Sequence, residues 1–297
     1  MSDAPARPVA GVLWMVATGL CFVAVTGLVR WLGTDLPAAQ SAFLRFGIGA
    51  LFFLPLAPGL LRAGLPQGSA LLFAQRGIVH VAAVVLWFYA MARLPVAEVT
   101  AIGYLNPVLV TLGAALFFGE ALALRRLAAV GVAILGALIV LRPGLREVTP
   151  AHLAQVGAAF CFAGSYLYAK RLSGLATPGA IVALLSLTVT VGLAPFALAV
   201  WVPPTGQQLA VLALVAAFAS AAHYCMMRAF AAAPLTVTQP VTFLQLVWAT
   251  ALGSLVFSEP VDAWVILGGS VILGAVLFIT WREAVLRRRA AMPPVPV

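Results

Sequence analysis

The chain has 297 residues, 64% of them apolar and only 8% charged, with a net charge of +9. A water-facing surface needs roughly 25% charged residues, so this composition excludes a soluble globule, and the high apolar content excludes a disordered chain. The basic residues fall singly or in pairs between long apolar runs, with one cluster at the C-terminus (Arg282, Arg287, Arg288, Arg289), so no nucleic-acid partner is expected.

A helix needs about 20 apolar residues to cross the hydrocarbon core of a bilayer. Breaks of Pro, Gly and charge mark ten such stretches: residues 9–32, 38–58, 70–92, 96–118, 126–142, 152–172, 178–201, 207–230, 235–257 and 263–282. The first is too long for the apolar core of a secretion signal, and no small-residue cleavage site ends it. The expected fold is an all-α membrane protein with ten transmembrane helices and no inserted soluble domain. Its main surface partner is the lipid bilayer. Counting Lys and Arg on alternate sides gives eleven on the side of the N-terminus and four on the other. That asymmetry predicts both termini in the cytoplasm, and hence an inner face and an outer face. Trp31, Trp201, Trp264 and Trp281 stand near span ends, where an interfacial aromatic belt belongs.

Along the spans, a small set of side chains is out of place in hydrocarbon. Polar groups there cost several kcal/mol when unpaired, so they face protein or water. Arg45 in span two and Arg76 in span three must snorkel, pair or face a cavity. His80 lies near the middle of span three and His223 toward the inner end of span eight. Each is read either as a substrate or proton ligand or as a satisfied interhelical histidine. In span four, Tyr104, Asn106 and Pro107 form a compact group. Pro107 has no N–H for the carbonyl of Gly103, so a kink is predicted there. Glu98 opens the same span, as a helix cap, an exit gate or a partner for Arg93. Trp87, Tyr166, Tyr224 and Trp248 add amphipathic rings within spans, and a buried Tyr wants a partner for its hydroxyl.

The three cysteines Cys21, Cys161 and Cys225 lie in apolar runs with no CxxC or Cys/His spacing, so no metal or other cofactor is expected. Catalysis is not expected either: the spans contain no Asp, and no His begins an HExxH motif. With no GxxxxGK[ST] sequence, direct ATP drive is excluded.

Residues 89–120 align without gaps to residues 228–259, with nine identities that include Pro95/Pro234 and Glu120/Glu259. Nearly the same offset places Cys21-Phe22 over Cys161-Phe162 and Arg30 over Lys170. The chain is thus read as two related five-helix repeats, residues 1–148 and 149–297. Five being odd, the second enters the membrane from the opposite side, the inverted layout of many secondary transporters. Phe243 and Gln245 of span nine are the repeat equivalents of Tyr104 and Asn106, and Pro240 supplies a second break. Glycines in span five (Gly131, Gly136) and span ten (Gly268, Gly269, Gly274) predict close packing of those two helices.

This five-plus-five plan, with Pro after the third helix and Gly/Ser-Glu closing the fourth in each half, resembles the drug/metabolite transporter superfamily. Within it the chain is similar to EamA-type bacterial exporters and to YddG-like amino-acid exporters. The resemblance implies a central cavity lined by helices 1, 3, 4, 6, 8 and 9, alternating access by the two halves, and helices 5 and 10 holding halves or subunits together. The expected function is outward transport of small neutral or zwitterionic metabolites, amino acids foremost, across the bacterial inner membrane, by a monomer or homodimer. The substrate-binding set is His80, Trp87, Tyr104, Asn106, Tyr166, His223, Tyr224, Phe243, Gln245 and Trp248, with Pro107 and Pro240 as hinges. A passive channel or facilitator, and a multidrug-type exporter, remain the alternatives.

Overall fold

The computed structural model describes residues 8–52, 55, 64, 67–118, 124–145, 147–172, 175–232 and 238–290. Among the described residues, eleven α-helices cover the ten expected spans: α1 (Pro8–Leu32), α2 (Ala38–Leu51), α3 (Ala70–Met91), α4 (Val96–Gly103), α5 (Leu105–Phe118), α6 (Leu124–Leu141), α7 (Pro150–Leu172), α8 (Pro178–Ala199), α9 (Gly206–Ala232), α10 (Phe243–Phe257) and α11 (Ala263–Ala290). Helix α2 ends at Leu51, short of the expected 58; residues 53–54 and 56–63 lie outside the described residues. Helix α11 continues past 282 to Ala290, because the end of an apolar run marks the membrane boundary while Arg, Glu and Ala still favour helix.

Span four is two helices. Tyr104 breaks it, its N–H turning back to the Ala101 carbonyl at 3.2 Å, three residues before Pro107. That is where the missing Pro107 N–H leaves the ladder unable to continue. In span nine a 3-10 turn over Gln239–Thr242, which contains Pro240, follows the helical Thr238 and precedes α10; residues 233–237 lie outside the described residues. Pro195 sits inside α8 without interrupting it, so a proline alone does not dictate a break.

Helix α1 packs along α9, α3 along α7, α2 against α8, and α6 against α11. Smaller contacts join α5 to α7, α1 to α10, α3 to α8 and α2 to α9. These pairings are unchanged when each span is exchanged for the one five places away. The α6–α11 contact is the glycine crossing expected from sequence. A Cβ added at Gly136 would lie 2.8 Å from the Gly268 carbonyl oxygen, and one at Gly268 would lie 2.5 Å from that of Gly136. Only hydrogen at both positions lets the backbones meet.

Two apolar clusters fill the interior. One unites α1, α2, α3, α8 and α9 through Val29, Phe46, Phe88, Leu193 and Leu212. The other unites α4, α5, α6, α10 and α11 through Ile102, Val108, Val140, Leu246 and Ile272. Both draw on residues before and after 148, so the two halves interlock. Large apolar side chains such as Ile78, Leu135, Val191, Phe196 and Leu255 are exposed on the outside, as are Trp31, Trp201, Trp264 and Trp281. A belt of this kind is stable against lipid and costly against water.

Candidate functional site

Arg45 on α2, Arg76 on α3 and Tyr166 on α7 each lie six residues from the same end of the bundle, which at 1.5 Å per residue is about 9 Å inside it. His80 and His223 lie one turn deeper. Arg45, Arg76, His80 and His223 are near enough for each histidine to feel both guanidinium charges. Tyr166 is 40% exposed, so accessible space adjoins its ring.

Both arginines are turned inward. Arg76 is buried and donates from Nη1 to the Ile181 carbonyl of α8 at 3.2 Å, while its Nε has no hydrogen-bond partner among the described residues. Arg45 stacks over the Phe46 ring at 3.9 Å. Neither has a carboxylate partner among the described residues, whose ion pairs all lie at the other end of the bundle. A buried guanidinium without a counter-charge is costly, and the cost is recovered when an anionic or acceptor-rich group arrives.

Rings line the same space. His80 binds Ser165 through Nδ1 at 2.9 Å and lies edge-on between Phe46 and Phe162, with ring centroids 5.8 and 5.2 Å away. Phe162 also meets Trp87 edge-on at 5.7 Å and stacks with Tyr166 at 6.5 Å. Phe22, its repeat counterpart, meets His223 at 5.5 Å. Each phenylalanine thus touches the histidine of the opposite half. The structure therefore brings together His80, Trp87 and Tyr166, with His223 close by. Phe162, Ser165 and Tyr166, spaced i, i+3 and i+4 on one face of α7, were the legible signal for the residues the sequence reading omitted.

The other expected site residues are placed differently. The Tyr104 hydroxyl donates to the Thr242 carbonyl at 2.9 Å, joining the two broken spans. Asn106 reaches the Ala159 carbonyl of α7 at 3.4 Å, and Gln245 lies against Gly19 of α1, the repeat counterpart of Ala159. Tyr224 is 57% exposed, accepts a bond from Arg228 at 2.8 Å and packs edge-on against Trp14. Trp248 is 37% exposed. The Phe243 side chain lies outside the described residues, as does Glu120. His223 gives or takes its Nδ1 bond with the Ala219 carbonyl at 2.7 Å; a carbonyl only accepts, so Nδ1 carries hydrogen.

The opposite end is tied by polar contacts. Glu259 accepts from Arg30 Nε at 3.1 Å and from the Val96 N–H at 3.0 Å, and Arg30 Nη1 also donates to the Ala92 carbonyl at 3.1 Å. Arg142 pairs with Asp262, whose other oxygen caps α11 by accepting from the Trp264 N–H at 2.9 Å. Gln40 clamps the Val202 backbone with both ends of its amide, at 2.6 and 2.9 Å. Arg93 lies over the Tyr89 ring at 3.8 Å. Glu98 meets His152, Nε2 to Oε2 at 2.9 Å, both residues being buried. His152, third residue of α7, was passed over because it stands at a span end, where polar residues are ordinary.

Comparison with known proteins places this arrangement. The EamA-like transporter family matches residues 9–142 and again residues 149–281. A riboflavin transporter of Rhizobium johnstonii is 32% identical over 290 residues, covering 97% of this chain and 96% of that one. An S-adenosylmethionine uptake transporter of Rickettsia prowazekii is 24% identical, covering 95% and 96%. A pseudopaline exporter of Pseudomonas aeruginosa is 28% identical, covering 91% and 95%.

Proposed function

We propose, from the premise that the chain belongs to the EamA-like transporter family, that it is a secondary transporter of a small metabolite with a flat ring and an anionic or acceptor-rich edge. The family is shown by two matches that together span nearly the whole chain, so this is a multi-pass membrane protein with a transport role. Two successive matches to one family, together with helix pairings unchanged by exchanging spans five places apart, support inverted halves at 1–148 and 149–297 that alternate access. The arginine count supports an inner-membrane orientation with cytoplasmic termini, which puts the Arg30–Glu259 end outside and the Arg45 chamber inside.

The observation that carries the cargo class is the pair Arg45 and Arg76, within the bundle, beside His80, Phe162 and Tyr166 and without a counter-charge among the described residues. Rings stack on a flat solute, and guanidinium groups bind carboxylates or acceptor-rich edges. Amino acids, expected from the sequence, are not among the cargoes named for these three relatives. Riboflavin therefore heads the panel. The names of the Rickettsia and Pseudomonas relatives point in opposite directions, uptake and export, so direction is assigned to whatever ion gradient drives the protein.

The test is counterflow. Purified protein in riboflavin-loaded liposomes is expected to accumulate labelled riboflavin transiently and saturably. Flux without saturation or counterflow overturns the carrier reading in favour of a channel. Exchange of amino acids with no flavin moving or competing overturns the cargo class.

A further inference from the structure

We propose that access alternates by movement of α4, α5, α6, α10 and α11 as one body against α1, α2, α3, α7, α8 and α9 as another, with Arg30–Glu259 as a clasp between them. The proposal rests on the alternating-access reading above and deepens it. The repeats supply the symmetry, and groups drawn from both repeats supply the moving parts.

The division follows from where the chain is packed. Of the four main helix packings, α1 along α9, α3 along α7 and α2 against α8 lie inside the larger group, and α6 against α11 lies inside the smaller. None crosses between the groups. Each group also has its own apolar cluster. Among the described residues, each cluster takes in one buried residue from the other group's helices, Val99 of α4 and Ala159 of α7. A close-packed cluster resists internal slip, because shifting one side chain opens a void or makes a clash beside it, so each group moves as a unit. Exchanging spans five places apart maps each group onto itself: spans one, two, three, six, seven and eight form one, and four, five, nine and ten the other. Both interrupted spans fall in the smaller group, and the bond from the Tyr104 hydroxyl to the Thr242 carbonyl ties the interruptions together.

The groups meet through glycine crossings. Gly27 of α1 lies under Leu252 of α10, Gly19 of α1 against Gln245 of α10, and Gly113 of α5 under Leu167 of α7. A glycine surface lets one helix shift over another with no side chain of its own to clear.

Side-chain bonds sort the same way. Gln40–Val202 joins residues of different repeats yet stays inside the larger group, and Arg142–Asp262 likewise stays inside the smaller. Arg30 is held to the larger group by the Ala92 carbonyl at 3.1 Å, and Glu259 to the smaller by the Val96 N–H at 3.0 Å. The Arg30–Glu259 bond, at 3.1 Å, crosses between them, and His152–Glu98 and Gln155–Val99 cross at the same end. Glu259 is set in place by the left-handed Ser258, at φ 53°, which closes α10. Gly253 leaves room for its carboxylate, since a Cβ there would lie 2.5 Å from Glu259 Oε2. Parting the groups at this end therefore breaks the charge-assisted Arg30–Glu259 bond and leaves Gln40–Val202 and Arg142–Asp262 intact.

The experiment measures spin-label distances on the full chain in liposomes, with Cys21, Cys161 and Cys225 replaced. Cysteine pairs are introduced at exposed positions of this end. Asp35→Cys with Val202→Cys lies inside the larger group, Leu145→Cys with Val261→Cys inside the smaller, and Asp35→Cys with Leu145→Cys between them. The last pair belongs to one repeat and the first two each join both repeats, so repeats that move as bodies would give the reverse pattern. Arg30→Gln and, separately, Glu259→Gln are expected to add a longer-distance population to the Asp35–Leu145 pair alone, and Arg30→Lys to keep the parent distribution. A change in the Asp35–Val202 or Leu145–Val261 pair while Asp35–Leu145 stays fixed overturns the proposal. So does a parent-like distribution for every pair in both Gln variants. With Gln40→Cys and Val202→Cys joined by a bifunctional thiol reagent, counterflow should stay within about twofold of the unjoined protein, and with Arg30→Cys and Glu259→Cys joined it should fall roughly tenfold. The opposite order also overturns the proposal. Absence of riboflavin counterflow in the parent overturns only the cargo reading, because the spin-label distances need no cargo.

Discussion

Leu252 of α10 fills the space over Gly27 of α1, and a Cβ built on Gly27 would lie 2.5 Å from its Cδ2. The repeat counterparts of these positions are Gly113 and Leu167, and they meet as well, with the glycine now on the span-four side and the leucine on α7. The two halves keep one small and one large residue at this crossing and swap which helix supplies each. Total volume across the contact is what close packing conserves.

Gly27→Val is therefore expected to overpack the α1–α10 contact and to destabilise the fold by about 1–3 kcal/mol. Thermal unfolding in detergent should show a lower midpoint, and adding Leu252→Ala should recover most of it. Equal losses in the single and double variants would mean that the two residues do not share one space.

Arg45→Gln and Arg76→Gln each remove a cation from the chamber. A hydrogen bond to a charged group contributes roughly 1.5–3 kcal/mol, so half-saturation for riboflavin counterflow should rise about tenfold or more. Arg45→Lys should restore part of it for a cargo with a point charge and little for one gripped by a planar fork. Unchanged half-saturation in both Gln variants would place the cargo elsewhere.

Ser165→Ala leaves His80 Nδ1 without its partner in a buried site, a loss of about 1–3 kcal/mol. The outcome to look for is a lower unfolding midpoint together with weaker counterflow, and Ser165→Thr should preserve the bond. Stability lost without any effect on transport would make the pair purely structural.

Pro107→Ala gives α5 the N–H that the Gly103 carbonyl lacks, and so favours a continuous span four. If the break at Tyr104 bends during transport, the maximal exchange rate should drop severalfold with little change in half-saturation. A change in half-saturation alone would assign Pro107 to binding. Pro240→Ala is the matching test in span nine, read the same way.

Much of this was legible in the residues. Proline chemistry marked both breaks, small residues marked the α6–α11 crossing, and the repeat at 89–120 and 228–259 matches the exchange symmetry of the helix contacts. The partners of the polar residues were harder to read. Arg93 was an available mate for Glu98 five residues away, yet Glu98 meets His152 on another helix. His223 reaches the Ala219 carbonyl of its own helix. Phe162 was visible only as a repeat marker, and it proved to be the ring that joins His80, Trp87 and Tyr166.

By itself the sequence determined the medium, the number of spans and the repeat, because apolar length, charge sidedness and internal identity are properties of the chain alone. Only the tertiary structure decided that the halves interlock, that Arg45 and Arg76 lie near the same two histidines without a counter-charge among the described residues, and that Glu98 finds His152. The physical reason is the solvent. In a bilayer the outside of a helix is as apolar as its packed side, so the pattern that tells a soluble helix which face to bury is nearly absent. Which face meets which neighbour is then settled by glycine contacts, ring edges and buried hydrogen bonds between residues far apart in the chain.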